Sequence, residues 1–186
     1  MKPQKILVLY KSFYGHTKQY AEWISEALHA DLSPIRRMDA SRLAAYDVIL
    51  YGGGLYASGI SGVSSLLRHF DRLRGKRLIL FTCGLADPAD ERNVDAIWRG
   101  IEKNFSEEQR QAIRFFHLRG GIDYPHLGPV HRAMMAMLRK MLLKKEPEAL
   151  REEDRQLLAT YGGTVDFMDR ASIEPILAFV KEGQNG

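Results

Sequence analysis

Little in this chain favours covalent cross-links or a membrane span. It has one cysteine, Cys83, among 186 residues. An intrachain disulfide is therefore excluded, and the thiol count suits a reducing compartment. No run of about eighteen apolar residues exists, so nothing in the sequence reads as a transmembrane helix. Met1-Lys2-Pro3-Gln4 leads into the first apolar segment without the hydrophobic region of a signal peptide. A cytoplasmic location, with room for peripheral membrane attachment, is expected. Acidic residues are outnumbered: 27 Lys and Arg against 23 Asp and Glu give a formal net charge of +4. The positive residues form no aromatic-interleaved patch, so a nucleic-acid role is not indicated. His117, His126 and His131 lack metal-ligand spacing, and no second cysteine accompanies them. No metal site is expected.

What is present is an alternation of buried strands and amphipathic helices. Lys5–Tyr10 reads as a strand and Lys18–His29 as a helix with Ala21, Ile24, Ala27 and Leu28 on one side. Asp31–Met38 is a weak edge strand. Tyr46–Tyr51 is a second clear strand, followed by a helix over Val63–Leu73. Gly75–Gly84 is the next strand, and Asn93–Asn104 a helix burying Val94, Ile97, Trp98 and Ile101. Gln111–Leu118 supplies a fifth strand. A Met-rich helix spans Pro129–Leu143, a charged segment runs from Lys144 to Gln156, and a last helix covers Ser172–Glu182. At this length a single domain over 1–186 is expected, burying about 70% of its unfolded-state surface. The pattern predicts an α/β fold, a doubly wound five-stranded parallel sheet in the order 2-1-3-4-5.

Two loops stand where that topology places a ligand, after strands 1 and 3. Ser12-Phe13-Tyr14-Gly15-His16-Thr17 links the first strand to the first helix, with hydroxyls and a glycine at the helix N-terminus. Backbone donors and the helix dipole converge there on an anion. An ordinary turn with a Ser or Thr N-cap has the same local spelling. The second loop, Gly52–Gly62, holds five glycines in eleven residues, and a flexible connector is the competing reading. Other phosphate motifs fail by spelling. Ile60 stands where a P-loop requires lysine, and Ser58-Gly59 interrupts the dinucleotide fingerprint begun by Gly52-x-Gly54-x-x-Ala57. Ala89 occupies the arginine position of a cysteine-phosphatase loop after Cys83. No Gly-x-Ser-x-Gly elbow exists. A mononucleotide held by neutral donors is what remains.

These residues resemble the flavodoxin family, which binds FMN. The closer likeness is to the flavodoxin-domain branch that contains the menaquinone-dependent protoporphyrinogen IX dehydrogenases. It is carried by Arg119-Gly120-Gly121-Ile122-Asp123-Tyr124-Pro125 after the fifth strand and by the basic, Met-rich helix His131–Lys145 that follows. The resemblance implies that Ser12, Tyr14, Gly15, His16 and Thr17 bind the FMN phosphate. It implies Gly54, Leu55, Tyr56 and Ala57 on one side of the isoalloxazine ring, and Cys83, Gly84 and Leu85 on the other. Cys83-Gly84-Leu85-Ala86-Asp87 departs from the family's usual third loop, and Cys83 itself also reads as a small buried hydrophobe.

The activity implied is oxidation of a porphyrinogen-type substrate with a quinone acceptor. Arg119, Arg132 and His126 are candidates to steer a substrate's propionates, and a solvated surface residue is the favoured reading of each. An electron carrier, or a flavodoxin-like module without its own substrate, is the alternative; a domain that has lost flavin is a third. Carrier flavodoxins are acidic as a family, whereas this chain is basic. Arg132, Arg139, Lys140, Lys144 and Lys145 beside Met134, Met135, Met137, Leu138, Met141 and Leu142 make helix 130–145 a candidate for peripheral contact with an anionic membrane. A methionine stripe packed into a core is the competing reading.

Overall fold

A computed structural model describes residues 4–56 and 59–183. The chain divides into two compact units, residues 1–120 with 168–186, and residues 121–167.

The first unit is built on strands β1 (Ile6–Lys11), β2 (Asp31–Pro34), β3 (Val48–Tyr56), β4 (Gly59–Ile60), β5 (Arg77–Gly84) and β6 (Ile113–Arg119). Five of them run parallel in the order β2-β1-β3-β5-β6, and β4 folds back antiparallel on the end of β3. Counting the parallel strands alone, this is the expected order. The helices are α1 (His16–Leu28), α2 (Val63–Leu67), α3 (Phe70–Leu73), α4 (Glu91–Asn104) and α5 (Glu107–Ala112), with the last helix, here α8, at Glu174–Glu182.

Alternation within each strand sorts side chains to opposite faces of the sheet, and both faces are covered. Leu7, Leu9, Ile49, Tyr51, Leu78 and Leu80 pack with Ile97, Ile101 and Phe105 on one face. Ile6, Val8, Val48, Leu50, Ile79 and Phe81 pack with Tyr20 and Ile24 of α1 and with Ile176, Leu177 and Val180 of α8 on the other. That double covering explains the near-continuous apolar runs of the central strands.

Several boundaries differ from the sequence reading. Strand β3 continues through Gly52, Gly53 and Gly54 to Tyr56, so these glycines are sheet and not loop. Gly52 pairs in register with Phe81, and a β-carbon on Gly52 would overlap the Phe81 ring. On Gly53 it would meet Ile60, and on Gly54 it would come 2.8 Å from the Tyr56 ring. The glycines make room for neighbouring side chains. The segment 63–73 forms two short helices in place of one. Trp98 is exposed, its ring edge-on to Phe115 at 5.2 Å, while Asn93 takes a buried place on α4. Residues 107–112 form α5, started by a Ser106–Gln109 capping box, and the strand begins only at Ile113.

The second unit contains β7 (Gly121–Asp123), α6 (Pro129–Leu142), α7 (Glu152–Ala159) and β8 (Thr164–Asp166). Strands β7 and β8 pair antiparallel, and the Tyr124 and Tyr161 rings lie 4.7 Å apart. On α6 only Leu142 is fully buried, whereas Val130, Met137 and Met141 are 68%, 63% and 59% exposed. No helix of the described residues is long and apolar enough to cross a membrane.

Candidate functional site

The expected site residues gather at the C-terminal ends of β1, β3, β5 and β6. Helix α1 opens directly after Gly15, whose φ of +99° is costly for residues with a β-carbon. The Gly15 N–H donates to Ser12 Oγ at 3.0 Å, which ties the turn together and leaves the Ser12 hydroxyl hydrogen available. The first backbone bond of α1 runs from Gln19 N to Gly15 O at 2.9 Å. The N–H groups of His16, Thr17 and Lys18 therefore have no acceptor within the helix. No side chain caps them. Thr17 is buried, at 4% exposure, and its hydroxyl makes no hydrogen bond to another described residue. A hydroxyl without a protein partner and three aligned backbone donors, with no carboxylate in the first turn, suit an anionic group carried on a larger ligand.

Aromatic rings from two segments meet beside this turn. Phe13 lies edge-on to Tyr56 with ring centres 5.6 Å apart, and Phe13 and Tyr14 are 6.4 Å apart. Burial pushes the Tyr56 phenol up to about 12, and the nearby Tyr14 and Cys83 push it the same way. Tyr14, Tyr56 and Cys83 thus share one neighbourhood, and Tyr56 stays a neutral donor at any physiological pH. Gly84 lies against Leu55, where a β-carbon would come 3.3 Å from Leu55 Cβ. A β-carbon on Gly120 would stand 2.8 Å from Cys83 Sγ and 3.4 Å from His16 Cβ. His16, Gly120, Cys83, Gly84 and Leu55 therefore form a continuous rim. Cys83 is 6% exposed and packs within the core, in keeping with its reading as a small hydrophobe. Ala57 lies outside the described residues.

The loop after β5 is braced. Arg119 donates from Nη1 to Asp87 Oδ2 at 2.9 Å and from Nε to the Leu85 carbonyl at 3.3 Å. Asn93 Nδ2 donates to the Asp87 carbonyl at 2.9 Å, and Asp90 caps α4. Tyr20, buried in α1, donates its hydroxyl hydrogen to the Arg119 carbonyl at 2.7 Å and accepts from Asp169 N at 3.1 Å.

The cations expected to steer a substrate are thus engaged elsewhere. Arg119 holds Asp87, His126 Nδ1 lies 2.7 Å from Asp123 Oδ2, and Arg132 donates to the carbonyls of Pro125 and Leu127. A guanidinium spent on backbone carbonyls and a carboxylate is a structural brace. The sequence reading missed Phe13, Gly120 and the Arg119–Asp87 pair. Phe13 was legible as a bulky residue inside the turn; Gly120 needed the register of β6 against β5.

Residues 7–149, over three quarters of the chain, match the flavodoxin domain family, to which the chain belongs. In this fold FMN sits at the switch point between the first and third strands, and FMN is the cofactor of this chain. The turn fits it: the Thr17 hydroxyl, which bonds no other described residue, and the uncapped first turn of α1 are donors that suit a phosphate monoester. No protein of curated function matches the sequence. Among solved structures, the chain is similar to oxidised flavodoxin 2 from Bacillus cereus, at 20% identity and a TM-score of 0.43 over 83% of this chain and 93% of that one. A WrbA-like flavodoxin from Agrobacterium tumefaciens shares 23% identity at a TM-score of 0.41, over 53% of this chain and 71% of that one. A flavoprotein from Lactobacillus acidophilus, solved in complex with FMN, shares 18% identity at a TM-score of 0.41, over 62% and 92%. The family assignment rests on the domain match and not on these likenesses.

Proposed function

We propose that the protein is an FMN-dependent oxidoreductase that moves electrons from a reduced, porphyrinogen-type substrate to a quinone-type acceptor. In this reading the FMN phosphate is held by Ser12, Tyr14, Gly15, His16 and Thr17. The ring lies between Gly54, Leu55 and Tyr56, with Ala57, on one side and Cys83, Gly84 and Leu85 on the other. FMN, when bound, supplies reversible hydride and electron transfer; the protein supplies binding, orientation and electrostatics.

Each residue then has a physical task. The first-turn N–H groups of α1 and the Thr17 hydroxyl replace water around the phosphate without a lysine clamp. Tyr56, kept neutral by burial, offers a hydroxyl donor and a flat apolar face, and no phenolate charge opposes a reduced cofactor. The Arg119–Asp87 pair and the Asn93 bond fix the backbone of residues 85–87, so that flank does not have to be ordered when ligand arrives.

The observation that favours a substrate-handling enzyme over a bare carrier is the unit formed by residues 121–167, which the sheet itself does not require. Its helix α6 exposes Val130, Met137 and Met141 between basic residues. The side chains of Lys140 and Lys144 have no partner among the described residues, while Lys145 is held by Asp154 at 3.2 Å. A basic helix with an exposed apolar stripe suits the surface of an anionic membrane, where a lipid-soluble quinone resides. In this reading the protein is cytoplasmic and peripherally attached.

The test is anaerobic mixing of FMN-loaded protein with protoporphyrinogen IX, followed by menadione. Expected are loss of the visible flavin absorbance with the first and its return with the second. FMN that binds but is not bleached by porphyrinogen would leave a carrier. Protein that FMN cannot titrate would remove both.

A further inference from the structure

Next to Leu55 and Tyr56 the first unit carries a groove of about 730 Å³, lined by β4, α2 and α4. It follows α4 from Asn93 in the first turn to Phe105 just past the last, a length of about 20 Å. Its walls are apolar, with Ile60, Leu67, Ile97 and Phe105 among them. Gly100 widens it, since a β-carbon there would meet nothing within 4 Å. The charged residues that line it are Arg99 and Lys103. Both are exposed, and neither side chain has a partner among the described residues. No carboxylate lines the groove.

We propose that this groove binds the body of the reduced substrate, a largely apolar molecule bearing carboxylate groups, with its reactive part toward Leu55 and Tyr56 and its acid groups on Arg99 and Lys103. This rests on the oxidoreductase reading above and names the substrate site within it. The volume falls in the ordinary range of small-molecule sites. The apolar walls select for a hydrophobic body, and two unpaired cations at the rim select for acids and against amines. Leu55 and Tyr56 belong both to this groove and to the proposed ring contacts. An occupant of the groove would therefore end at the cofactor.

The test uses FMN-loaded protein and protoporphyrin IX, an apolar dicarboxylic acid, with its dimethyl ester as the uncharged control; binding is read by porphyrin fluorescence anisotropy. Wild type should bind the acid more tightly than the ester. Arg99→Gln with Lys103→Gln should weaken the acid roughly tenfold and leave the ester unchanged. Ala96→Trp, at an exposed groove position that tolerates bulk, should weaken both. FMN titration of every variant should match wild type, which separates groove effects from misfolding. Unchanged porphyrin affinity in both variants, or no porphyrin binding by wild type, overturns the groove assignment. Turnover of protoporphyrinogen keeps the two readings apart. Activity with an unaltered KM in Ala96→Trp removes the groove and keeps the oxidoreductase. Groove binding without turnover keeps the acid-binding site and removes the oxidoreductase.

Discussion

Gly120 and Cys83 meet so closely that a β-carbon on Gly120 would stand 2.8 Å from the Cys83 sulfur. The contact joins the end of β6 to the end of β5, and the same β-carbon would lie 3.4 Å from His16 at the start of α1. Backbone bonding reinforces it, since Gly120 N donates to the Gly84 carbonyl at 2.6 Å. Gly120→Ala must therefore displace either the buried thiol or the first turn of α1. A cost of about 1–3 kcal/mol is expected in urea unfolding. FMN affinity should fall more than Gly100→Ala makes it fall, because Gly100 lies within α4 with open space around it. Equal FMN affinity in wild type and Gly120→Ala would show that the rim is not part of the cofactor site.

Thr17 separates stability from binding. Its hydroxyl makes no bond to another described residue, so Thr17→Val removes no interaction of the apo-protein and should leave its stability within about 0.5 kcal/mol of wild type. FMN binding should weaken by roughly tenfold, the scale of one hydrogen bond to a charged group. Adding Ser12→Ala should weaken it further and also loosen the turn, because Ser12 Oγ accepts from Gly15 N. Calorimetry of the apo-protein and fluorescence titration with FMN measure the two effects separately. Unchanged FMN affinity in the double variant removes the phosphate from this turn.

The order of the parallel strands was legible because each central strand is an apolar run and each helix has a clear period. The phosphate turn was legible because its residues are contiguous. What failed was legible only in three dimensions. Gly52, Gly53 and Gly54 looked like a loop because glycine is poor in strands. The reason for Gly52 lies about thirty residues away, in the Phe81 ring of β5, and those for Gly53 and Gly54 lie in Ile60 and Tyr56. Trp98 fitted the apolar stripe of α4 but stacks at its edge on Phe115. Strands β7 and β8 are three residues each and pair across some forty residues, so neither carries a period to read. The helix start at Glu107-Glu108 was legible from its acidic pair, and Ser106-x-x-Gln109, a capping box, places its first turn.

Gly52→Ala tests that correction. As sheet, Gly52 has no space for a methyl group against Phe81, and the substitution should destabilise by about 1–3 kcal/mol. Pairing it with Phe81→Leu should recover part of the loss, giving a coupling energy in a double-mutant cycle. A loop glycine would show neither the cost nor the coupling.

His117 sets a pH dependence. Burial holds its imidazole below the ordinary value of 6.5, with Nδ1 2.9 Å from Thr82 Oγ1. As pH falls through about 6.5 the unfolded chain takes up a proton that the folded chain refuses. The stability from this group is therefore full above that value and declines as pH falls toward the lower folded pKa. Urea midpoints between about pH 8 and 5 should fall accordingly. His117→Gln, which keeps a polar partner for Thr82, should flatten that part of the profile. An identical profile in the variant would assign the pH dependence to other groups.

The α6 surface makes the membrane reading testable residue by residue. Val130, Met137 and Met141 are spaced seven and four apart, so they share one side of the helix, and all three are exposed. Lys140 and Lys144 are the cations to change, because reversing Lys145 would also break its bond to Asp154 and confuse lipid contact with local unfolding. Wild-type protein should sediment with phosphatidylglycerol vesicles and not with phosphatidylcholine alone. Lys140→Glu with Lys144→Glu should release it, since each basic residue near such a surface contributes about 1 kcal/mol and reversal adds repulsion. Met137→Ser with Met141→Ser should weaken binding while leaving its salt dependence intact, because the stripe acts by apolar burial and the lysines by charge. FMN titration should be the same in all of these proteins. Release by both pairs of changes requires the helix to lie on the bilayer with its stripe inserted. Release by the lysine pair alone leaves a purely electrostatic contact, and wild type that ignores anionic vesicles moves the quinone encounter off the membrane.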